Sequence, residues 1–159
     1  MNVLFICTGN INRSAAGESI LKNYVVRYNI KDIFVDSSGL NEESKKNKKM
    51  NKKTFNILKE KNLLFDENKR SNFSSQERID WADVIIVMQP SHKKDLISLY
   101  GENISIKIHF AIEFLKDKSL KKIPDPNFSK GTEEFYYVVD LMEEVVKNFL
   151  REKGYALSN

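Results

Sequence analysis

A chain of 159 residues with 41% apolar and 30% charged side chains is long enough for one packed core and ordinary for a globular domain. No apolar stretch approaches the roughly 18 residues that span a bilayer, and the N-terminal run of about five lacks the basic flank of a signal peptide. A single cysteine excludes an intramolecular disulfide, and the net charge of +4 gathers in a lysine run, Lys45–Lys53, with no aromatic residues to stack nucleic-acid bases. These properties predict one domain over residues 1–159 in the cytoplasm, with neither a nucleic-acid nor a membrane partner; a monomer or weak dimer is the expected state, though no feature of composition argues for it. Export by a route without a signal peptide stays open.

Strand-like and helix-like segments alternate along the chain. Val3–Cys7 reads as a buried strand. Ser14–Tyr28 follows as a helix, with Ala16, Ile20, Leu21, Tyr24 and Val25 near one face. Ile33–Ser37 is a second strand, closed by Ser38-Gly39. Asn51–Lys61 is a helix with Phe55, Ile57 and Leu58 inward, and Ser75–Trp81 a short one. Asp83–Met88 is a continuous apolar strand suited to burial on both faces. Ser91–Tyr100 is a helix with Ser91 as its N-cap. Ile104–Ile108 is a fourth strand. Thr132–Lys153 closes the chain as a helix, its stripe running from Phe135 through Val138, Val139, Met142, Val145, Val146 and Phe149 to Leu150. This alternation predicts an α/β fold: a central four-stranded parallel sheet with helices on both faces. Ligands of such folds bind beyond the carboxyl ends of the strands.

Cys7, the only cysteine, stands at the carboxyl end of the first strand. Thr8 to Asn12 must then turn the chain into a helix that starts near Arg13 or Ser14. Gly9 supplies backbone freedom for a tight cradle. Successive N–H groups in such a turn, with the helix start, converge on a tetrahedral anion such as phosphate. Residues Thr8, Gly9, Asn10, Ile11, Asn12, Arg13 and Ser14 are therefore the candidate phosphate site. The Arg13 fork can hold two phosphate oxygens at once, which a lysine cannot. The same field favours a thiolate at Cys7, a nucleophile placed beneath a bound phosphoryl group. Ser14 can donate a hydrogen bond to the sulfur and help it leave. His92 and His109 have no metal-ligand spacing with another His or Cys and read as structural or surface residues. Trp81 reads as a core anchor. The Lys45–Lys53 run reads as a solvated loop and helix start, with electrostatic steering of acidic phosphoproteins as the alternative.

The segment Cys7-Thr8-Gly9-Asn10-Ile11-Asn12-Arg13-Ser14 resembles the C-x-G-N-x-C-R-S signature that opens the low-molecular-weight protein tyrosine phosphatases. The resemblance implies Cys7 as nucleophile, Arg13 as phosphate ligand and Asn10 as the residue that shapes the loop. It also implies a serine after the second strand bonded to Asn10, which Ser37 matches. It further implies a general acid in an Asp-Pro pair, and Ile123-Pro124-Asp125-Pro126 supplies Asp125. By itself Asp125 is equally a proline-bounded turn; a carboxylic acid near a phosphate ester can protonate the leaving oxygen and later activate water. The implied substrates are phosphotyrosine-containing proteins, hydrolysed through a cysteinyl-phosphate intermediate without metal or cofactor.

Several positions depart from the family pattern. Asn12 replaces a second cysteine, so Cys7 has no internal disulfide partner and should oxidise onward unless an external thiol rescues it. Ala15 replaces a proline. Asn127 and Phe128 stand where two aromatic residues often follow Asp-Pro, and no tryptophan occurs in Leu40–Lys53. Ile11, Asn127 and Phe128 are the candidate substrate-pocket residues, and Ile11 suits a phenyl ring. Arsenate reduction with an external thiol, a non-catalytic phosphate or phosphotyrosine module and a cysteine phosphocarrier are the competing readings.

Overall fold

The computed structural model describes residues 1–158. Four parallel strands, β1 (Asn2–Cys7), β2 (Phe34–Gly39), β3 (Val84–Val87) and β4 (Ile108–Phe110), form one sheet in the order β2-β1-β3-β4. β1 and β3 lie in the middle, where both faces are covered, and an unbroken apolar run suits that position. Side chains alternate across a strand, so β1 feeds two cores. Val3, Phe5 and Cys7 join one, with α1 (Arg13–Arg27), α2 (Lys52–Glu60) and α5 (Glu133–Glu152). Leu4 and Ile6 join the other, with α3 (Gln76–Trp81) and α4 (Pro90–Tyr100). The expected doubly covered parallel sheet is present, and the whole α5 stripe from Phe135 to Leu150 is buried.

Topology places the site. The chain leaves β1 for β2 on one side, then crosses to β3 on the other. Strand order therefore reverses at β1, and the crevice of such a switch opens at the carboxyl ends of β1 and β3. Cys7 is the last residue of β1.

Two expectations need correction. Residues 104–108 are not the fourth strand: Glu102–Lys107 winds as a 3₁₀ helix, and β4 follows at Ile108–Phe110. The Ile104-x-Ile106-x-Ile108 alternation imitates a strand, yet Ile106 is 87% exposed. The winding carries Lys107 back to α3, where its Nζ donates to the carbonyls of Ile79 (2.6 Å) and Ala82 (3.0 Å). Secondly, α4 begins at Pro90 after Gln89, and Ser91 is not its cap. Proline fits the first helical position because its missing N–H would be unpaired there. In the Cys7 loop the left-handed residue is Asn10, at φ 59°. Asparagine tolerates that region better than most side chains, and its amide is put to use, as described next.

Candidate active site

The loop from Thr8 to Asn12 is pinned from outside. The end of β2 presses against it: Leu40 and Asn41 both donate backbone N–H to the Thr8 carbonyl, at 2.8 and 3.1 Å. A Cβ on Gly39 would stand 2.8 Å from that carbonyl, so this approach requires glycine. Asn51 N–H donates to the Ile11 carbonyl at 3.0 Å, which fixes the other flank.

Beneath the loop runs a hydrogen-bond chain whose direction is determined from Glu18 as far as Ser14. Glu18 is buried, and its carboxylate is paired with Lys22 (2.8 Å) and Lys69 (3.1 Å). A carboxylate only accepts, so the Ser37 hydroxyl donates to Glu18 Oε2 at 2.7 Å. Ser37 Oγ in turn accepts from Asn10 Nδ2 at 2.9 Å. The amide cannot be reversed, because Asn10 Oδ1 accepts the Asn72 backbone N–H at 2.9 Å. The same Nδ2 donates to Ser14 Oγ at 2.8 Å. The Ser14 hydrogen then has two acceptors in reach, Cys7 Sγ at 2.9 Å and the Ser38 carbonyl at 3.4 Å, and Asn10 N–H points at the same sulfur from 3.3 Å. The Asn10 N–H and the Ser14 hydroxyl thus both lie within hydrogen-bond reach of the sulfur.

Arg13 is only 2% exposed, although it is an arginine. Nη1 donates to Gln89 Oε1 (2.6 Å) and the Ile123 carbonyl (2.9 Å), and Nη2 to Thr8 Oγ1 (3.3 Å). Among the described residues its one carboxylate neighbour is Asp125, with Oδ2 3.6 Å from Nη2. Asp125 Oδ1 accepts the Asn127 N–H at 3.0 Å, an Asx turn that orients the carboxyl from within its own loop. Cys7 lies in a pocket of about 190 Å³, which Asp125 overlooks.

The walls of this pocket come from three loops. Thr8, Gly9, Ile11, Asn12 and Arg13 line the floor side, and Asp125, Asn127 and Phe128 form one wall. Phe128 is 89% exposed, a ring that only a bound molecule would cover. The opposite wall is Asn41, Glu43 and Lys48, three polar residues outside the expected pocket set. Hydrogen bonds from Lys46 and Lys48 hold the Glu43 carboxyl well below its usual range. Asn12 lines the pocket while its side chain acts as a tie: Nδ2 donates to Asn127 Oδ1 (3.2 Å), and Oδ1 accepts from Thr54 Oγ1 (2.7 Å).

With this geometry in place, comparison with known proteins is informative. A family profile for low molecular weight phosphotyrosine protein phosphatase matches residues 2–157. The chain belongs to that family. Among relatives of this phosphatase family, YfkJ of Bacillus subtilis is 27% identical over 155 residues, covering 96% of this chain and 98% of its own. PtpA of Staphylococcus saprophyticus is 30% identical over 150 residues, 94% of each chain. Both are named low molecular weight protein-tyrosine-phosphatases. The crystal structure of Bacillus subtilis YfkJ superposes with a TM-score of 0.85 at 24% identity, over 98% of this chain and 97% of that one. The YwlE arginine phosphatase from Geobacillus stearothermophilus does so at 0.79 and 22%, over 99% of each.

Every expected site residue thus falls in or directly beneath one pocket: Cys7, Arg13, Asp125, the Thr8–Ser14 loop and Ser37. Gln89, Glu18 and Lys69 complete the support and had no local signal of their own. Of the two readings of His92, structural or surface, the structure gives the first: its ring is buried against Thr8.

Proposed function

We propose that the protein hydrolyses phosphotyrosine in proteins through a phosphocysteine intermediate, with Cys7, Arg13 and Asp125 as the reacting constellation. The observation that carries this reading is the sulfur of Cys7 beneath a loop that also presents Arg13, with the Asp125 carboxyl 3.6 Å from that guanidinium. Phosphate sits over Cys7, held by the loop amides and two Arg13 N–H groups. The thiolate attacks phosphorus as the bond to the tyrosyl oxygen breaks. Protonated Asp125 gives its proton to that oxygen, so tyrosine leaves neutral. In the second step water attacks phosphorus, its proton passes to the Asp125 carboxylate, and the sulfur leaves as thiolate. The Ser14 hydroxyl, held 2.9 Å from Sγ by the Asn10–Ser37–Glu18 chain, donates to the thiolate as it leaves. Among the described residues no group of three or more His, Cys, Asp or Glu is placed to hold a metal ion.

The cytoplasm is the proposed compartment. No described helix is long and apolar enough to cross a membrane, and the one cysteine is buried and unpaired, which suits a reducing environment. The test is turnover of p-nitrophenyl phosphate and a phosphotyrosyl peptide in EDTA. Wild type should hydrolyse both. Cys7→Ser should abolish turnover, and Asp125→Asn should lower kcat about 10²–10⁴-fold. A folded, reduced wild type that hydrolyses neither overturns the reading. Binding of the phosphopeptide without turnover would then indicate a recognition module.

A further inference from the structure

His92 is a buried titratable group that the mechanism above leaves unused. It lies in the first turn of α4, 2% exposed, and its two ring nitrogens meet different partners. Nδ1 is 3.3 Å from the backbone nitrogen of Met88, and Nε2 is 3.0 Å from Thr8 Oγ1. A backbone N–H can only donate, so Nδ1 must offer its lone pair. The ring is therefore neutral, and its single N–H is on Nε2, where it donates to Thr8 Oγ1.

Thr8 Oγ1 also receives a hydrogen bond from Arg13 Nη2 at 3.3 Å. A guanidinium has no acceptor atom. Both lone pairs of the hydroxyl are thereby engaged by donors. Its hydrogen must point elsewhere, and among the described residues it donates to no protein acceptor. Thr8 lines the pocket above Cys7. The tautomer of a buried histidine thus decides which way a pocket hydroxyl faces.

We propose that His92 is a positioning residue that turns the Thr8 side chain into a hydrogen-bond donor for a phosphate oxygen. The inference rests on the phosphatase reading and deepens it, adding a side-chain contact to those of the loop amides and Arg13. The same hydroxyl braces Arg13 Nη2, while Gln89 and the Ile123 carbonyl hold Nη1, so the guanidinium plane is set from both ends. Burial and the neighbouring Arg13 charge push His92 down to about 3, which keeps the single-proton ring throughout the neutral range.

Two side chains separate the halves of this role. Asparagine at position 92 can still accept from Met88 but does not reach Thr8 with a donor. Glutamine places an N–H near the position of Nε2. The experiment measures competitive inhibition by orthophosphate, with KM and kcat for p-nitrophenyl phosphate, in Thr8→Val, Thr8→Ser, His92→Asn, His92→Gln and the Thr8→Val/His92→Asn double variant. Thr8→Val, which keeps the shape and removes the hydroxyl, should raise the orthophosphate inhibition constant about tenfold, as expected for one hydrogen bond to an anion. Thr8→Ser should recover most of that loss. His92→Asn should weaken inhibition several-fold and His92→Gln less. The double variant should be no weaker than Thr8→Val alone, because both changes remove one contact. Unchanged inhibition in Thr8→Val, or fully additive losses in the double variant, overturns the proposal while the phosphatase reading stands. A wild type that neither turns over aryl phosphate nor is inhibited by orthophosphate overturns both.

Discussion

Asn10 and His92 show how much of this site depends on the direction of single hydrogen bonds. Asn10 takes the left-handed backbone of the loop, and its amide orients two serines at once. His92 does the same for one threonine. The histidine leaves a measurable trace in stability. The unfolded chain takes a proton on this residue near pH 6.5, and the folded protein resists it to about 3. Between those values the unfolded state binds a proton the folded state lacks, so acid favours unfolding there. Stability from this residue is fully present above pH 6.5 and falls toward pH 3, by about 1.4 kcal/mol per pH unit. His92→Gln should remove that slope. Urea titrations at pH 7 and pH 5 should show the wild-type advantage shrinking by about 2 kcal/mol at the lower pH. A constant difference would mean that folded His92 protonates as readily as a solvated one.

Elements supply the distances. α1 can bring its first turn over Cys7 because it packs tightly on β1 at Gly17. A Cβ there would stand 2.7 Å from the Phe5 ring and 3.0 Å from Met142 Cε on α5. Gly17→Ala gains up to about 1 kcal/mol of helix propensity, but overpacking of this kind costs about 1–3 kcal/mol. We expect net destabilisation and a melting temperature lower by several degrees in calorimetry. At the other side of the pocket, the Asp125 loop is latched to the Cys7 loop by the Asn12–Asn127 bond. Asn127→Ala should free the loop and misplace the acid. Steady-state kinetics should show kcat for an aryl phosphate falling several-fold with KM little changed, since phosphate ligands on the Cys7 loop are untouched. A raised KM at constant kcat would instead place Asn127 in substrate binding.

At the scale of the molecule, charge is concentrated on one rim. Between Asn41 and Lys53 six lysines face two glutamates, a surplus of four that equals the net charge of the whole chain. Glu42 and Glu43 pair with Lys45, Lys46 and Lys48, and Lys48 reaches the pocket mouth. Lys49 and Lys52 line an adjoining cleft with Arg70. This is a fixed positive rim whose influence salt will screen. For a phosphotyrosyl peptide with acidic flanks, kcat/KM should drop several-fold between about 20 and 200 mM salt, while p-nitrophenyl phosphate changes less. Lys49→Glu/Lys52→Glu should flatten the peptide's salt dependence. Equal salt responses for the two substrates would show that the rim does not guide acidic peptides.

The features readable from residue order are those whose signals are local. Val3–Cys7 and the α5 stripe were legible because burial imposes a period on neighbouring residues. Cys7, Arg13 and Ser14 were legible because one loop must hold nucleophile and anion ligand within eight residues. Asp125 was legible only through its Asp-Pro resemblance, since a lone carboxylate has no period. The tertiary structure decided the rest. Ile104, Ile106 and Ile108 alternate like a strand, yet the first two lie in a 3₁₀ helix whose Lys107 is anchored on α3, and only Ile108 enters β4. Asn10 carries the left-handed backbone of the loop, and Ser14, Ser37 and Asn72 hold its amide. His92 meets Thr8 across 84 positions and Lys69 meets Glu18 across 51, since the parallel sheet gathers distant loops at one edge. Nothing in the residues near either partner encodes such a meeting. Local chemistry is written in the order of residues, whereas the direction of a hydrogen bond depends on which donors and acceptors the fold brings within 3 Å.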